Sequence, residues 1–414
     1  MAETNIPPSG LGNIQKIPFP PPLIPNITFF LKALCSELEF ARDPIYCASK
    51  QGGNNNITIF TCIPLGPKHN QQRIRCILRT AKYINFSLRR QSPVNESVKM
   101  LVALSHVFGK AGVGLPIPGV LAYDSTFENA IVCPYIIQEE VEGTTLLMQY
   151  RTMNRSLLDQ RGPNHNPHLL KRRELARQVA GFIAQKEGHT FSGYGVLRNA
   201  SDMNSLDPKV RAARYVLGVA PARIAGKLIP TSLDLSKFIN ALACARLLKA
   251  SSALDVRAIK NARKLLDIWK CMSERGLLTD QPSILWHPDF HPRNILFNNT
   301  VLTGVIDWDN SMALPRIMTR ESPSFLWKND PVLLSQPESD AIKDAFDDTI
   351  GRLIPGYKED AYSIYRVLIR ALGMYTLFGV DYKHYHELSW ENLVRECDVL
   401  FPEQAWGLDR PFFL

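Results

Sequence analysis

Residues 284–309 read ILWHPDFHPRNILFNNTVLTGVIDWD, from Ile284 to Asp309, and the rest of the chain is organised around them. The apolar runs Ile295–Phe297 and Val301–Ile306 flank Asn298-Asn299-Thr300, a turn signal between strand-like segments, so the pattern predicts a short β-hairpin. A polar loop, His287–Asn294, enters the hairpin, and an acidic tip, Asp307-Trp308-Asp309, leaves it. A hairpin returns the chain to where it began, which brings Asp289, Asn294 and Asp307 toward one point although sequence separates them. Phosphoryl transfer from a nucleotide requires such a set: one carboxylate beside the acceptor hydroxyl, and an amide oxygen plus a second carboxylate on Mg²⁺.

The run His287-Pro288-Asp289-Phe290-His291-Pro292-Arg293-Asn294 has the H-x-D-x-x-x-x-N spacing of a kinase catalytic loop. On this reading Asp289 takes the hydroxyl proton and orients the acceptor, while Asn294 and Asp307 hold Mg²⁺. His291 faces the transferring phosphate, and His287 braces the loop through hydrogen bonds. Singly, each is an ordinary turn carboxylate, turn amide or core histidine; their order along one hairpin carries the reading. Other chemistries lack their patterns. His384-Tyr385-His386-Glu387 has not the spacing of a zinc HExxH helix, and neither a GxSxG serine elbow nor a GxxxxGK[ST] phosphate loop occurs.

At 414 residues the chain suits two lobes, and 45% hydrophobic with 21% charged residues is an ordinary globular composition. A net charge of +9 suits an anionic ligand such as a nucleotide phosphate, but no basic tract with interleaved aromatics marks a nucleic-acid binder. The eight cysteines show neither CxxC pairs nor metal-ligand spacing, which points to reduced thiols and a cytoplasmic protein. The N-terminal residues carry no signal-peptide pattern, and no apolar run is long enough to predict a membrane span.

Residues 1–26 form a proline-rich arm, including Ile17-Pro18-Phe19-Pro20-Pro21-Pro22. Asn26 reads as the N-cap of a helix over Ile27–Ala41, with Leu31, Leu34, Leu38 and Ala41 on its apolar face. Strand-like runs at Ile57–Leu65, Arg73–Thr80, Ile117–Asp124 and Ala130–Gln138 follow. Gly52-Gly53 offers a turn whose backbone N–H groups can approach a phosphate, because no side chain stands in the way. Arg79 on a strand and Glu96 at the start of a periodic helix supply a cation for the nucleotide phosphates and a carboxylate to aim it. Glu139-Glu140-Val141-Glu142-Gly143 breaks the strand pattern as a linker between lobes, where backbone groups at Glu139 and Val141 would meet the adenine. Beyond it helical patterning takes over: Glu174–Gly188, Asp234–Ser251, Val256–Arg275, and helices near Asp340–Ile350, Asp360–Phe378 and Trp390–Leu400. The segment between Gly188 and Pro230 is loop-rich. The expected fold is α+β and bilobal, of the protein-kinase-like class, with a β-rich nucleotide-binding lobe over 27–140 and a helical lobe over 141–414.

LWHPDFHPRNILF, with LTGVIDWDN after it, resembles the catalytic and metal-binding motifs of the aminoglycoside phosphotransferase and choline kinase superfamily. Its DWDN-x-x-x-x-PR continuation, Asp307–Arg316, resembles the fungal phosphotransferase-enzyme group, and the likeness covers most of residues 48–330. The resemblance implies an ATP- and Mg²⁺-dependent O-phosphotransferase acting on a small-molecule hydroxyl, with Asp289 as base and Asn294 and Asp307 on the metal. Three departures stand out. The glycine turn is rich in asparagine, Arg79 stands where many kinases use lysine, and Asp-Trp-Asp replaces Asp-Phe-Gly with no APE-like segment after it. A second reading, a kinase-like protein that binds without turnover, follows from the first two. A third, regulation through the proline-rich arm, has composition behind it.

Overall fold

Alternation of apolar residues over Phe60-Cys62, Cys76-Leu78 and Tyr135-Ile137 builds the first half of the molecule. The computed structural model describes residues 14–16, 27–37, 41–51, 55–65, 72–81, 83–85, 93–109, 114–124, 128–131, 133–159, 168–199, 217–220, 222–224, 227–328, 334–380 and 388–402. These divide into two compact units: one runs through Gly143 and takes back Thr303–Ile306, and the other holds most of the chain from Thr144 on.

The first unit contains α1 (Ile27–Glu37), β1 (Ala41–Gln51), β2 (Asn55–Pro64), β3 (Ile74–Ala81), α2 (Pro93–Phe108), β4 (Val120–Asp124) and β5 (Tyr135–Glu139). The strands form one antiparallel sheet in the order β1-β2-β3-β5-β4. Because side chains alternate across a strand, Phe60, Cys62, Cys76, Leu78, Tyr135 and Ile137 share a face, and Ile27, Leu31, Leu34 and Cys35 of α1 bury against it. The predicted helix over Ile27–Ala41 is shorter than expected. It reaches Glu37, and Ala41 instead opens β1, paired with Pro64. Pro44 is tolerated within β1 because that strand is at the sheet edge and bulged between Arg42 and Ile45, with Asp43 at φ 49°. Of the arm over 1–26, the described part is Ile14–Lys16, which pairs with Tyr83–Asn85; its proline run lies outside the described residues, as do Gly52 and Gly53.

The second unit opens with β6 (Thr144–Thr145), α3 (Leu146–Asp159) and α4 (Leu169–Glu187). The loop-rich stretch after α4 contains strands too short to show a period: β7 (Thr190–Phe191), β8 (Gly195–Asn199) and β9 (Leu217–Ala220). They join β10 (Ser283–Trp286) and β13 (Met312–Pro315) in a sheet ordered β9-β8-β13-β10-β7. Between them come α5 (Leu235–Ser252) and α6 (Val256–Glu274), each N-capped by an aspartate: Asp234 accepts from the Lys237 N–H and Asp255 from the Ala258 N–H, both at 2.9 Å. The predicted hairpin is present as β11 (Ile295–Asn298) and β12 (Val301–Val305), turning through Asn299 at φ 54°. Beyond it run α7 (Gln336–Leu353), started by a Ser335–Glu338 capping box, then α8 (Tyr357–Tyr362), α9 (Ile364–Phe378) and α10 (Trp390–Leu400). Its main core joins Phe238 and Leu242, Leu265 and Ile268, Leu368 and Leu372, and Leu393 to Trp286, Met312 and Leu314.

A second, charged cluster ties this unit together. Arg320, 4% exposed, reaches Glu187 Oε2 at 2.7 Å and Asp360 Oδ2 at 2.8 Å. Arg370, fully buried, donates to the carbonyls of Ile317, Asp360 and Ala361. Arg316, the arginine of the DWDN-x-x-x-x-PR run, puts its Nε 4.0 Å from the same Asp360 oxygen. The motif's arginine thus lies at the edge of this charged cluster.

Candidate active site

β10 delivers the chain into the polar loop, and buried aromatic groups set where it goes. His287, 3% exposed, accepts the Asp289 backbone N–H on Nδ1 at 3.0 Å. Its ring lies edge-on to Trp308, with centroids 4.5 Å apart. Phe290 stacks on Phe182 of α4 at 5.6 Å, and Phe182 in turn meets Trp308 at 6.4 Å. His287 therefore braces the loop, as its position implied, and sequence reading missed the aromatic cluster beneath it. The middle residue of Asp-Trp-Asp serves as an anchor. Trp308 is 1% exposed, while Asp307 before it is exposed and held at φ 66°, a left-handed conformation that aspartate tolerates better than most residues. Ser311 closes the turn by donating from Oγ to the Trp308 carbonyl at 2.7 Å.

Pro292–Asn294 forms one turn of 3₁₀ helix, and His291 caps it: its Nδ1 accepts the Arg293 N–H at 3.4 Å. Asn294, 5% exposed, donates from Nδ2 to the Asp289 carbonyl at 2.9 Å and to Asp289 Oδ2 at 2.7 Å. One amide nitrogen thereby orients the carboxylate, and the other end of the amide, Oδ1, makes no hydrogen bond among the described residues. Gln149 of α3 pins the turn of the hairpin, donating to the carbonyls of Phe297 at 3.4 Å and Asn299 at 3.0 Å.

The loop's second surprise is Arg293. Its Nη2 donates to both Asp289 oxygens at 2.8 and 2.7 Å, and its Nε reaches Oδ2 at 3.2 Å. Partial burial pushes the Asp289 carboxyl up, but the Arg293 hydrogen bonds and charge, then Asn294 and the field of His287, outweigh it and hold the group below the usual carboxylate range. Asp289 is thus kept ionised and pre-aimed. The available signal was an arginine four residues after an aspartate, which sequence patterns read as a pair only on helices.

The donor set suits Mg²⁺ on chemical grounds. Among the described residues no three His, Cys, Asp or Glu side chains gather into a metal cluster. Mg²⁺ does not need one, since it takes oxygen ligands, usually one or two from protein, and completes its shell with phosphate and water. The Asn294 Oδ1 and the carboxylate of Asp307, an exposed residue, are the oxygens that would hold it.

The residues expected on the nucleotide side fall in the first unit. Arg79 lies on the sheet face opposite α1, opposite Ile57 on β2 and Ile136 on β5, and donates from Nη1 to Gln138 Oε1 at 3.2 Å. Glu96 falls within α2, but its side chain, like Gly52 and Gly53, lies outside the described residues. Glu139 closes β5 instead of opening the linker; its N–H goes to the Gly119 carbonyl at 2.9 Å, and the Glu140 N–H to the Arg75 carbonyl at 3.0 Å. Val141 follows, half-buried against Gly304, where any Cβ would collide with the valine side chain. Glycine at 304 is required by that close approach.

Residues 69–318, well over half of the chain, match the Phosphotransferase enzyme family, APH. The chain belongs to this phosphotransferase family. Its β-rich first unit and mainly helical second unit give the expected α+β fold class. Among solved structures, a thermostable mutant of aminoglycoside phosphotransferase APH(4)-Ia in ternary complex with AMP-PNP and hygromycin B is 17% identical, with a TM-score of 0.48 over 92% of this chain and 94% of that one. ADP-bound APH(2'')-Ib is 13% identical at a TM-score of 0.43, covering 91% and 98%. The streptomycin–ATP–APH(2")-IIa complex is 12% identical at 0.39, covering 91% and 97%. No curated protein matches the chain.

Proposed function

We propose that this phosphotransferase moves the γ-phosphate of ATP to a hydroxyl of a small metabolite, with Mg²⁺ as cofactor. The observation that carries the reading is the 2.7 Å hydrogen bond from Asn294 Nδ2 to Asp289 Oδ2, which aims the carboxylate and leaves an amide oxygen for a metal. In the transfer the acceptor oxygen attacks the γ-phosphorus in line. A new O–P bond forms as the bond to the β,γ-bridging oxygen breaks, ADP departs with that electron pair, and Asp289 takes the hydroxyl proton. Mg²⁺, held by Asn294 and Asp307, would supply charge to offset that of the phosphates.

The first unit would bind the nucleotide through Gly52, Gly53, Arg79, Glu96 and the backbone at Glu139 and Val141; the second would present the acceptor. His291, fixed as a cap by the Arg293 N–H, is placed in this reading near the transferring phosphate. No helix among the described residues is long and apolar enough to cross a membrane. The eight free cysteines favour a reducing, cytoplasmic site of action in this reading. Incubation with ATP, Mg²⁺ and candidate alcohols, with Asp289→Asn as control, tests the proposal; equal turnover by that variant removes Asp289 from it.

One observation favours a second reading. Arg293 occupies both oxygens of the proposed base. A kinase-like protein that binds nucleotide without turnover would keep that ion pair with ATP bound, and phosphate transfer to any metabolite excludes it.

A further inference from the structure

The second unit holds a cavity of about 300 Å³ that uses none of the residues of the proposed transfer chemistry. It opens between α5, α6 and the end of α9 because the facing side chains are small: Ala250 on α5, and Ala258 and Ala262 one turn apart on α6, with Leu265 as apolar floor. Phe378, the last residue of α9, forms another wall, and its ring packs 5.5 Å from Trp286, the residue that leads into the catalytic loop. At this volume it stands at the lower limit of small-molecule sites, which run from about 300 to 1,000 Å³. It suits a ligand well below nucleotide size.

Its charge is what makes it a candidate site. Arg246 lines it, donating from Nε to the Thr376 carbonyl at 3.0 Å and from Nη2 to the Leu377 carbonyl. Those are carbonyls at the end of α9 that the helix itself leaves unpaired, and Gly379, at φ 95°, stops the helix there. Arginine has five N–H donors, so its terminal edge stays available after these bonds, and no carboxylate pairs with it among the described residues. Lys249, one turn along the same face of α5, is exposed at the rim without an ion pair among the described residues. Asp255 is the only acid in the lining; its Oδ1 is committed to the Ala258 N–H as the N-cap of α6. Two cations and one carboxylate leave a single net positive charge, which matches a monoanion better than a phosphate dianion.

We infer that this cavity is a binding site for a small organic carboxylate with an apolar body, its carboxylate on the free edge of Arg246 and beside Lys249, and its body on Leu265 and Phe378. Benzoate is the probe, with benzamidine as a cation of the same shape, titrated into the full chain by calorimetry. Benzoate is expected to bind, to persist in the presence of ATP and Mg²⁺, and to weaken by about tenfold in Lys249→Glu, the loss of one charge-assisted contact. Arg246→Met is expected to abolish binding. Because that change also uncaps α9, Ala258→Phe, which fills the cavity from a half-buried position, gives an independent loss in a folded protein. The inference is overturned if benzoate does not bind, if benzamidine binds as well as benzoate, or if Lys249→Glu and Ala258→Phe both leave benzoate binding unchanged.

Discussion

Arg293 grips the Asp289 carboxylate through two nitrogens, at 2.7 to 3.2 Å, across an open loop instead of along a helix. The pair is partly exposed, at 51% and 32% of the two side chains, so solvent screens it and its contribution to stability is small. Its effect on ionisation is the larger one. A carboxyl held below its usual range keeps its base form, and any stability linked to it, at pH values above its ordinary range, and loses both as pH falls through the depressed value.

Removing the arginine therefore shifts a pH profile. In Arg293→Met the Asp289 carboxyl returns toward an ordinary value, and the acid limb of kcat/KM against pH is expected to move to higher pH. A profile whose acid limb stays in place would detach Asp289 from it.

Asp289→Asn leaves the loop's hydrogen-bonded frame in place, since the Asp289 N–H still reaches His287 Nδ1. Nucleotide binding is expected to persist while turnover falls by about 10²–10⁴-fold, the usual worth of a positioned base. Calorimetric titration with ATP alongside steady-state kinetics separates the two quantities.

Asp307 is best tested with asparagine. At φ 66° an alanine adds backbone strain of about 1–2 kcal/mol, whereas asparagine tolerates that region and removes only the charge. In Asp307→Asn the Mg²⁺-dependent part of nucleotide affinity is expected to disappear with the melting temperature little changed. Equal affinity with and without Mg²⁺ in the unaltered protein would end the metal assignment.

The Glu187–Arg320–Asp360 cluster makes a prediction about stability alone. Asp360 retains Arg366 at 3.5 Å, but Glu187, 6% exposed, has Arg320 as its partner. Arg320→Met is expected to cost about 3–5 kcal/mol in urea unfolding by stranding that carboxylate.

Lys186, beside it on α4, works in the opposite sense. Burial, only partly offset by the neighbouring Glu187, pushes its pKa down to about 8 from 10.5. The unfolded chain then holds the proton more tightly, so the group destabilises the fold fully below the folded value and ceases to as pH rises toward 10.5. Lys186→Met is expected to stabilise the protein by roughly 3 kcal/mol at neutral pH, and by little at pH values near the unfolded pKa. Urea titrations at the two ends of that window measure the difference.

What could be read in advance follows from where local rules operate. The hairpin was legible because apolar runs and an Asn-Asn-Thr turn state a strand pair without help from the rest of the chain. Most of the helices were legible from their 3.6-residue period, but α3 was not placed, and the single helix read over Asp360–Phe378 is broken at extended Ser363 between α8 and α9. Strand β1 was not, since Pro44 and two bulges interrupt the alternation on which a strand is recognised. The short strands β7 to β9 carry too few residues to show a period. Within the site, the residue types and spacing of Asp289 and Asn294 were visible, but their contact, the Arg293 grip and the Phe182–Trp308–His287 packing arise from tertiary placement. Arg79 was recognised as a strand cation, yet its hydrogen bond to Gln138 depends on register between β3 and β5.

The decisive measurement is transfer of label from γ-phosphate-labelled ATP into a metabolite extract by the purified full chain, with and without Mg²⁺, beside Asp289→Asn. The expected result is a labelled small molecule that requires Mg²⁺ and is lost in the variant. Nucleotide binding with no labelled product, or the same product from Asp289→Asn, would contradict a transfer reaction built on Asp289 and Asn294.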